Sequence, residues 1–213
     1  MLASGSCLLT DVVDKLHEPS KKINVVDRLS KHLDKGTPAS AAASYLQQVR
    51  NWVPAAPVIH IDDSDVVKQD GYKFESLGIV RDGSESTSTK NVYKKRYHVT
   101  EACVLTTSNH PVSIFSKIHS SAEKGYKSAN VITFEAMEQG AALFKRATFC
   151  MDRGYDDNKM FLKLDDLEQD YVIRLTSKRK LLYHNKWTPA TELRDRRKGK
   201  IKTSVFYRGK EHE

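Results

Sequence analysis

The sequence predicts an α/β fold in which a mixed β-sheet follows an N-terminal helical segment. Apolar residues recur at helical spacing up to about residue 53, and short runs of β-branched and apolar residues dominate beyond that point. Those runs alternate with two further helical patterns, which is typical of α/β architectures. Two of the runs end in acidic residues, so carboxylates are expected at the edge of the sheet.

The N-terminal segment, residues 1–53, contains three helical patterns. The first is LLTDVVDKLHE, the second is the basic INVVDRLSKHL, and the third runs from about Ala41 to Trp52. Pro54 and Pro57 then end the segment, because proline cannot continue a helix. Two short helices of which the second is basic resemble a helix-turn-helix, and a plain helical subdomain accounts for the pattern equally well.

Seven elements are expected in the segment 54–176. β-branched runs predict the strands, helical periodicity predicts the helices, and the pair Ser108-Asn109 predicts a turn between the second and third strands. In chain order they are the strand PVIHID, the strand YHVTEACVLTT (97–107), the strand HPVSIFSKIHS (110–120), a helix from Asn130 to Lys145, the strand ATFCMD (147–152), the helix DDNKMFLKLDDLEQD and the strand YVIRL (171–175). That order belongs to the ribonuclease-H-like fold, a mixed sheet with helices on both faces.

An acidic cluster closes the first expected strand, in the stretch VIHIDDSD (58–65). Asp62, Asp63 and Asp65 repel one another there unless a cation or a base shares the site. Asp152 closes the fourth strand, which lies beside the first in this fold, so Asp63 and Asp152 are expected to approach each other. The chain is expected to leave the strand before Asp65, which then points elsewhere. Hard carboxylate oxygens favour Mg²⁺ or Mn²⁺, whereas the alternative for each single acid is a turn or helix cap.

Basic residues exceed acidic ones, and the excess is concentrated in one stretch. The chain has 35 Lys and Arg against 27 Asp and Glu, a net charge of +8 and a pI near 9.3. Between Arg174 and Lys210 there are thirteen basic residues and two acids. Such a stretch predicts an anionic partner such as nucleic acid, and a solvated basic loop is the alternative.

The cysteines and the hydropathy pattern indicate a reducing, aqueous compartment. Cys7, Cys103 and Cys150 are far apart and lack C-x-x-C spacing, which argues against a zinc site or a disulfide framework. No apolar stretch approaches the roughly 18 residues of a transmembrane helix, and the N-terminus lacks the features of a signal peptide. We therefore expect a cytoplasmic protein with no membrane partner.

Four blocks of the chain carry a resemblance to a known family. They are IDDSDVVK (61–68), KFESLGIVRDGSES (73–86), CMDRGYDDNKMF (150–161) and YVIRLTSKRKLLY (171–183). In this order they resemble bacterial insertion-sequence DDE transposases, in particular the group with a β-rich insertion inside the catalytic domain. RLSKHL near Arg28 also fits the N-terminal part of that group, so the resemblance runs from about residue 5 to the end. It implies an incomplete ribonuclease-H-like core over 54–176 and the start of a basic, β-rich insertion over 177–213.

The resemblance implies roles for particular residues. The family's first catalytic Asp precedes Ser or Thr and matches Asp63, and the second belongs to an Asp-Arg pair and matches Asp152, with Arg153 as a structural or phosphate contact. These two acids are the implied ligands of Mg²⁺ or Mn²⁺. Part of the family continues the second block with Glu-Ala-Asp, whereas Gly-Tyr-Asp (154–156) follows here. The family's third acid, a Glu in a Tyr-Arg-Glu-Lys pattern, matches no position, which implies a C-terminally truncated chain that is inactive alone.

The favoured interpretation is a transposase that cleaves double-stranded DNA at insertion-sequence ends and joins it to a target. It would work in the nucleoid and form a homodimer on DNA. One alternative is a non-catalytic DNA-binding remnant or regulator, and another is a self-sufficient ribonuclease-H-like nuclease, whose further acids are not found. The basic residues expected to contact DNA are Arg153, Lys178, Arg179, Lys180, Arg194, Arg196, Arg197 and Lys198.

Overall fold

The computed structural model describes residues 4–82, 85–193, 205–207 and 210–212, the last two ranges as backbone strands. These residues form a mixed α/β protein with five α-helices and ten β-strands. The chain divides into two compact units, Met1–Gln48 and Val49–Glu213. The predicted α/β class is therefore confirmed.

The N-terminal part of the chain is helical, as predicted. Its helices are α1 (Leu9–Leu16), α2 (Lys22–Asp34) and α3 (Ala39–Trp52). Helix α1 packs against α2, and an ion pair of 2.7 Å between Asp14 and Lys22 joins the two. The buried apolar residues of these two helices are Val12, Val13 and Val25.

The second unit contains the predicted elements in the predicted order, with one additional strand, β2. The elements are β1 (Val58–Val67), β2 (Gly78–Arg81), β3 (Tyr93–Leu105), β4 (Pro111–His119), α4 (Ala129–Leu143), β5 (Thr148–Met151), a turn of 3-10 helix (Arg153–Tyr155), α5 (Asn158–Asp166) and β6 (Asp170–Ile173). The turn expected between the second and third predicted strands is present, and Asn109 adopts a left-handed conformation in it (φ 62°). Asparagine tolerates this conformation better than most residues do.

The six strands β1 to β6 form one mixed sheet in which β1 is central. Strand β1 pairs antiparallel with β3 and parallel with β5, and β5 pairs parallel with β6. Strands β2 and β4 pair antiparallel with successive stretches of β3. The parallel pairing ends where Ile61 meets Met151, but β1 continues alongside β3 as far as Val67. The acidic residues of β1 therefore lie where β1 passes the end of β5.

Helices α4 and α5 cover one face of this sheet, whereas the fold predicted from the sequence has helices on both faces. Helix α4 packs against β1, β3 and β4, and α5 packs against α4 and β6. Since side chains alternate along a strand, Ile59 and Ile61 point to the same face, where both are buried. Gly140 lets α4 approach closely, because a Cβ there would lie 2.8 Å from Cδ1 of Ile59 and 3.0 Å from Cζ of Phe149. Asp63 is the next residue of β1 on that face.

A second, four-stranded sheet lies in the part of the chain that was expected to be β-rich. Its strands are β7 (Lys180–Tyr183), β8 (Lys186–Pro189), β9 (Val205–Tyr207) and β10 (Lys210–His212), in the order β10-β9-β7-β8. His184 and Asn185 join β7 to β8 with positive φ angles of 47° and 59°. Two left-handed residues are what the tight turn of a two-residue hairpin requires. Across the described ranges, no helix has the length and apolar character needed to cross a membrane.

Candidate functional site

Asp63 lies on β1 directly beyond the buried part of the strand, and its side chain is exposed. The residue across from it on β3 is Thr100, which is fully buried. The hydroxyl of Thr100 donates a hydrogen bond of 2.5 Å to Oδ1 of Asp63. The carboxylate of Asp63 is therefore held by a residue of the adjacent strand β3 and is exposed to solvent.

Asp152 directly follows β5, the parallel neighbour of β1. Its Oδ1 accepts a hydrogen bond of 2.7 Å from the backbone N–H of Gly154, so Asp152 caps the 3-10 turn that follows. The capping role that was considered for this acid is thus present. A cap uses one oxygen and fixes the orientation of the carboxylate, and it leaves the negative charge in place.

The buried side chain of Tyr155 links the two acids electrostatically. Burial raises the pKa of the Tyr155 hydroxyl, and the carboxylates of Asp63, Asp62 and Asp152 raise it further. Asp63 has the largest effect of the three, through its charge and through a polar contact with the hydroxyl. The hydroxyl oxygen of Tyr155 is buried, and the contact with Asp63 is too long or too poorly aligned to be a regular hydrogen bond among the described residues. Tyr155 therefore marks where the ends of β1 and β5 meet.

Asp65 differs from the prediction. The expected end of the strand before Asp65 is wrong, because β1 continues to Val67 and Asp65 lies opposite His98 of β3. Its carboxylate binds the buried guanidinium of Arg96 and lies 2.9 Å from Nδ1 of His98. Cross-strand pairing keeps this polar stretch extended, and a cation of the protein itself neutralises Asp65.

A buried histidine lies behind Thr100. Nε2 of His119 on β4 is 2.9 Å from the Thr100 hydroxyl oxygen, and the His119 side chain is 1% exposed. The His119 ring stacks on those of His98 and Tyr126, with centroid distances of 5.6 and 5.9 Å. Burial lowers the pKa of His119, and His98 lowers it further. Neither Thr100 nor His119 was predicted to belong to the site, because the sequence marks each of them simply as a polar residue inside a β-branched run.

The basic residues expected to contact DNA fall into three groups. Arg153, Lys178 and Lys180 are exposed. The guanidinium of Arg179 pairs with the buried carboxylate of Asp156 at 2.6 Å, so this side chain is engaged within the fold. The remaining four, Arg194, Arg196, Arg197 and Lys198, lie outside the described residues.

The donor set at the ends of β1 and β5 fits a divalent cation only in a restricted sense. Among the described residues there is no group of three or more His, Cys, Asp or Glu side chains that could hold a metal ion. Asp63 and Asp152 nevertheless supply hard, anionic oxygens. Mg²⁺ commonly binds through one or two carboxylates together with waters and substrate phosphates, and two carboxylates satisfy that requirement.

Comparison with known proteins adds no relative. No family model matches the chain, and no curated protein matches it significantly. The inference of function therefore depends on the residues and geometry of the site.

Proposed function

We propose that this chain is a polypeptide of the DDE transposase type, in which Asp63 and Asp152 supply two of the carboxylates of a phosphodiester-processing site and which is inactive by itself. One observation carries the proposal. Two acids lie at the same end of neighbouring parallel strands: Asp63 is two residues beyond Ile61 on β1, and Asp152 directly follows Met151 of β5, the residue paired with Ile61. Neither carboxylate pairs with a basic side chain among the described residues, and like charges brought together in this way favour a cation site.

The topology supports a ribonuclease-H-like core. The order β4-β3-β1-β5-β6, with antiparallel pairing up to β1 and parallel pairing beyond it, is the arrangement expected of that fold. Its expected catalytic position is the point where the first strand passes the end of the fourth strand of that fold. Asp63 and Asp152 lie at that point, since β1 is the first and β5 the fourth.

The residues of the chain would prepare the carboxylates for this reaction. Thr100 holds the carboxylate of Asp63, and the Gly154 N–H holds that of Asp152, so little reorganisation is needed when a cation binds. When bound by these acids, Mg²⁺ or Mn²⁺ would activate a water and neutralise charge at the phosphodiester. Exposed Arg153, adjacent to Asp152, is suited to hold a phosphate oxygen.

Binding of Mn²⁺ tests the proposed site directly. The EPR signal of free Mn²⁺ should fall when the chain is added. Asp63→Asn and Asp152→Asn should each weaken binding by about tenfold or more, equivalent to about 1.4 kcal/mol, because one of two anionic ligands is lost. Asp70→Asn, an equal charge change at an exposed loop residue, is the matched control and should have little effect. Equal losses in all three variants would contradict the assignment of the site.

Double-stranded DNA is the proposed partner, and its phosphates are the proposed contacts of the basic residues. Phosphate binding by Lys178 and Lys180 is supported by their exposure. The basic sequence of residues 194–198 supplies further candidates for phosphate contacts. Removing the four basic side chains of that segment should reduce the slope of log affinity against log salt by up to about 3.6, since each phosphate contact contributes about 0.9. A variant lacking four exposed lysines elsewhere is the matched control for net charge. Those lysines are Lys124, Lys127, Lys145 and Lys159.

The salt experiment has two informative failures. An unchanged slope in the 194–198 variant would mean that this segment is a solvated basic loop. Equal reductions in that variant and its control would mean that net charge alone attracts DNA. The proposed homodimer on DNA can be tested in the same samples, as a doubling of the protein mass per DNA end in analytical ultracentrifugation.

A second candidate function is DNA binding without catalysis. The observation that favours it is the exposed polar face of α2 and its C-cap, which consists of Asn24, Asp27, Arg28, Lys31, His32 and Lys35. Four of these can carry positive charge: Arg28, Lys31, His32 and Lys35. Arg28 is partly engaged by Glu18, at 2.7 Å. If this function is correct, substituting Lys31 and Lys35 should abolish DNA binding, whereas Asp63→Asn and Asp152→Asn should leave it unchanged with and without Mn²⁺.

A further inference from the structure

The hydrogen bonds behind Asp63 have a direction that simple chemistry determines. An ionised carboxylate only accepts hydrogen bonds, so the hydroxyl hydrogen of Thr100 must point to Asp63. Its single hydrogen is then used, and the Thr100 oxygen can interact with Nε2 of His119 only as an acceptor. The contact of 2.9 Å therefore requires a hydrogen on Nε2 of His119.

The surroundings of His119 agree with a neutral ring that carries its hydrogen on Nε2. Nδ1 of His119 is buried and has no hydrogen-bond partner among the described residues. A hydrogen placed there would be a buried donor without an acceptor, which is costly. The ring is also held from one side, because it stacks on His98, whose own Nδ1 is anchored at 2.9 Å by Asp65.

We propose that His119 and Thr100 are positioning residues that fix the carboxylate of Asp63 in the orientation needed for cation and phosphate binding. The order of donation is His119 Nε2–H to Thr100 oxygen, and Thr100 O–H to Asp63 Oδ1. Both residues lie on strands of the sheet, so the chain of donors is as rigid as the sheet itself. The role in cation and phosphate binding rests on the proposed function. The order of donation rests on the hydrogen-bond geometry alone.

NMR spectroscopy of the isotope-labelled chain tests the order of donation without any metal or substrate. Long-range ¹H–¹⁵N spectra should show His119 as the neutral tautomer with its hydrogen on Nε2. A neutral ring with its hydrogen on Nδ1 would overturn the proposal, because Nε2 would then be an acceptor and the single hydroxyl hydrogen of Thr100 could not be donated to both Nε2 and Asp63. The scalar couplings that report χ1 of Asp63 should also indicate a single rotamer in the wild-type chain.

Paired substitutions separate positioning from simple stability. Thr100→Val removes the hydroxyl and keeps the shape, whereas Thr100→Ser keeps the hydroxyl. His119→Gln can place an amide N–H near the position of Nε2, whereas the amide of His119→Asn reaches only the position of Nδ1. We expect Asp63 to populate several χ1 rotamers in Thr100→Val and His119→Asn, and one rotamer in Thr100→Ser and His119→Gln. Thermal melting identifies any variant that does not fold. If Thr100→Val or His119→Asn fails to fold, Thr100→Ser and His119→Gln, which keep the hydrogen-bond donor, still test whether a single Asp63 rotamer is maintained.

The affinity for Mn²⁺ is the second readout. Loss of a residue that orients a metal ligand typically weakens metal binding by about 10- to 100-fold, which we expect for Thr100→Val and His119→Asn. Thr100→Ser and His119→Gln should bind within about threefold of the wild type. Equal affinities and a single Asp63 rotamer across both pairs would overturn the positioning role. If the wild type binds no Mn²⁺, the proposed function fails, and the tautomer and rotamer data still decide whether Asp63 is held in this way.

Discussion

Neutralising Asp156 is expected to destabilise the second unit strongly. The Asp156 side chain is 1% exposed, and its carboxylate accepts hydrogen bonds from the Arg179 guanidinium at 2.7 Å and from the Thr176 N–H at 2.7 Å. The Arg179 side chain is 16% exposed, and its guanidinium carbon lies 5.2 Å from the centre of the Phe161 ring. Once the carboxylate is gone, a positive charge remains in a largely desolvated position.

The expected magnitude follows from this geometry. Breaking a buried ion pair by removing one partner costs about 3–5 kcal/mol. Arg179 keeps the Asn158 side chain and the Asp156 carbonyl as acceptors, so we expect the lower limit, about 3 kcal/mol, for Asp156→Asn. In a unit of this size that loss lowers the melting temperature by about 6–12 °C. Urea unfolding followed by circular dichroism measures the free energy, with Asp166→Asn on the surface of α5 as the matched control.

A double-mutant cycle with Arg179→Met decides whether the pair is the cause. Because the two charges compensate each other, the double variant should be less destabilised than the sum of the single variants, by about 1–3 kcal/mol. Strict additivity, or a loss below about 1 kcal/mol for Asp156→Asn, would refute the reasoning.

The pH dependence of the same variant has a definite sign. Burial acts to raise the pKa of Asp156, but the Thr176 N–H and Arg179 outweigh it and hold the pKa below its ordinary value. The stabilisation is therefore complete above the unfolded-state pKa of about 3.9, and it is lost as the pH falls through the lower folded-state pKa. The difference in stability between wild type and Asp156→Asn should accordingly shrink in acid, and a constant difference down to low pH would contradict this.

Two further predictions concern catalysis and packing. The chain alone should nick supercoiled plasmid in Mn²⁺ no faster than Asp63→Ala or Asp152→Ala. Two carboxylates hold the second metal ion of a phosphoryl-transfer site poorly, and each 1.36 kcal/mol of stabilisation lost at the leaving oxygen costs about tenfold in rate. Nicking that both substitutions abolish would show that further ligands are already in place. Gly140→Ala should destabilise the second unit by about 1 kcal/mol, because overpacking against Ile59 costs about 1–3 kcal/mol and exceeds the roughly 1 kcal/mol gained in helix propensity. Ala142→Gly on the exposed side of α4 measures propensity alone, and a stabilised Gly140→Ala would contradict the close packing.

The order of elements was predictable because each element has a period that matches its structure. β-branched runs and helical repeats mark β3, β4, α4 and α5 without reference to the rest of the chain. Strand β2 was missed because a strand of four residues, GIVR, shows too few alternations to be recognised. The length of β1 was missed for another reason. The stretch from Asp62 to Asp65 has a poor intrinsic preference for strand, and its pairing with β3 overrides that preference.

The acids of the site were predictable from local sequence, whereas the residues that hold them were not. Asp63 and Asp152 follow apolar runs, and the end of such a run is visible in the sequence. Thr100 and His119 are buried polar residues within strands, and only the register between β1, β3 and β4 brings them behind Asp63. The ion pair of Arg179 with Asp156 was not predicted, because a basic run does not tell which of its side chains turns inward.

The acids of β1 differ in how the rest of the fold compensates their charge. The guanidinium of Arg96 forms an ion pair with Asp65 and neutralises its charge within the fold. Among the described residues, the carboxylate of Asp63 accepts a hydrogen bond from a neutral hydroxyl and that of Asp152 from a backbone N–H, and neither pairs with a basic side chain. A neutral donor satisfies the geometry of a carboxylate and leaves its full negative charge unmatched. Among the described residues, negative charge without a basic partner thus lies where β1 passes the end of β5, and such an arrangement favours the binding of an external cation.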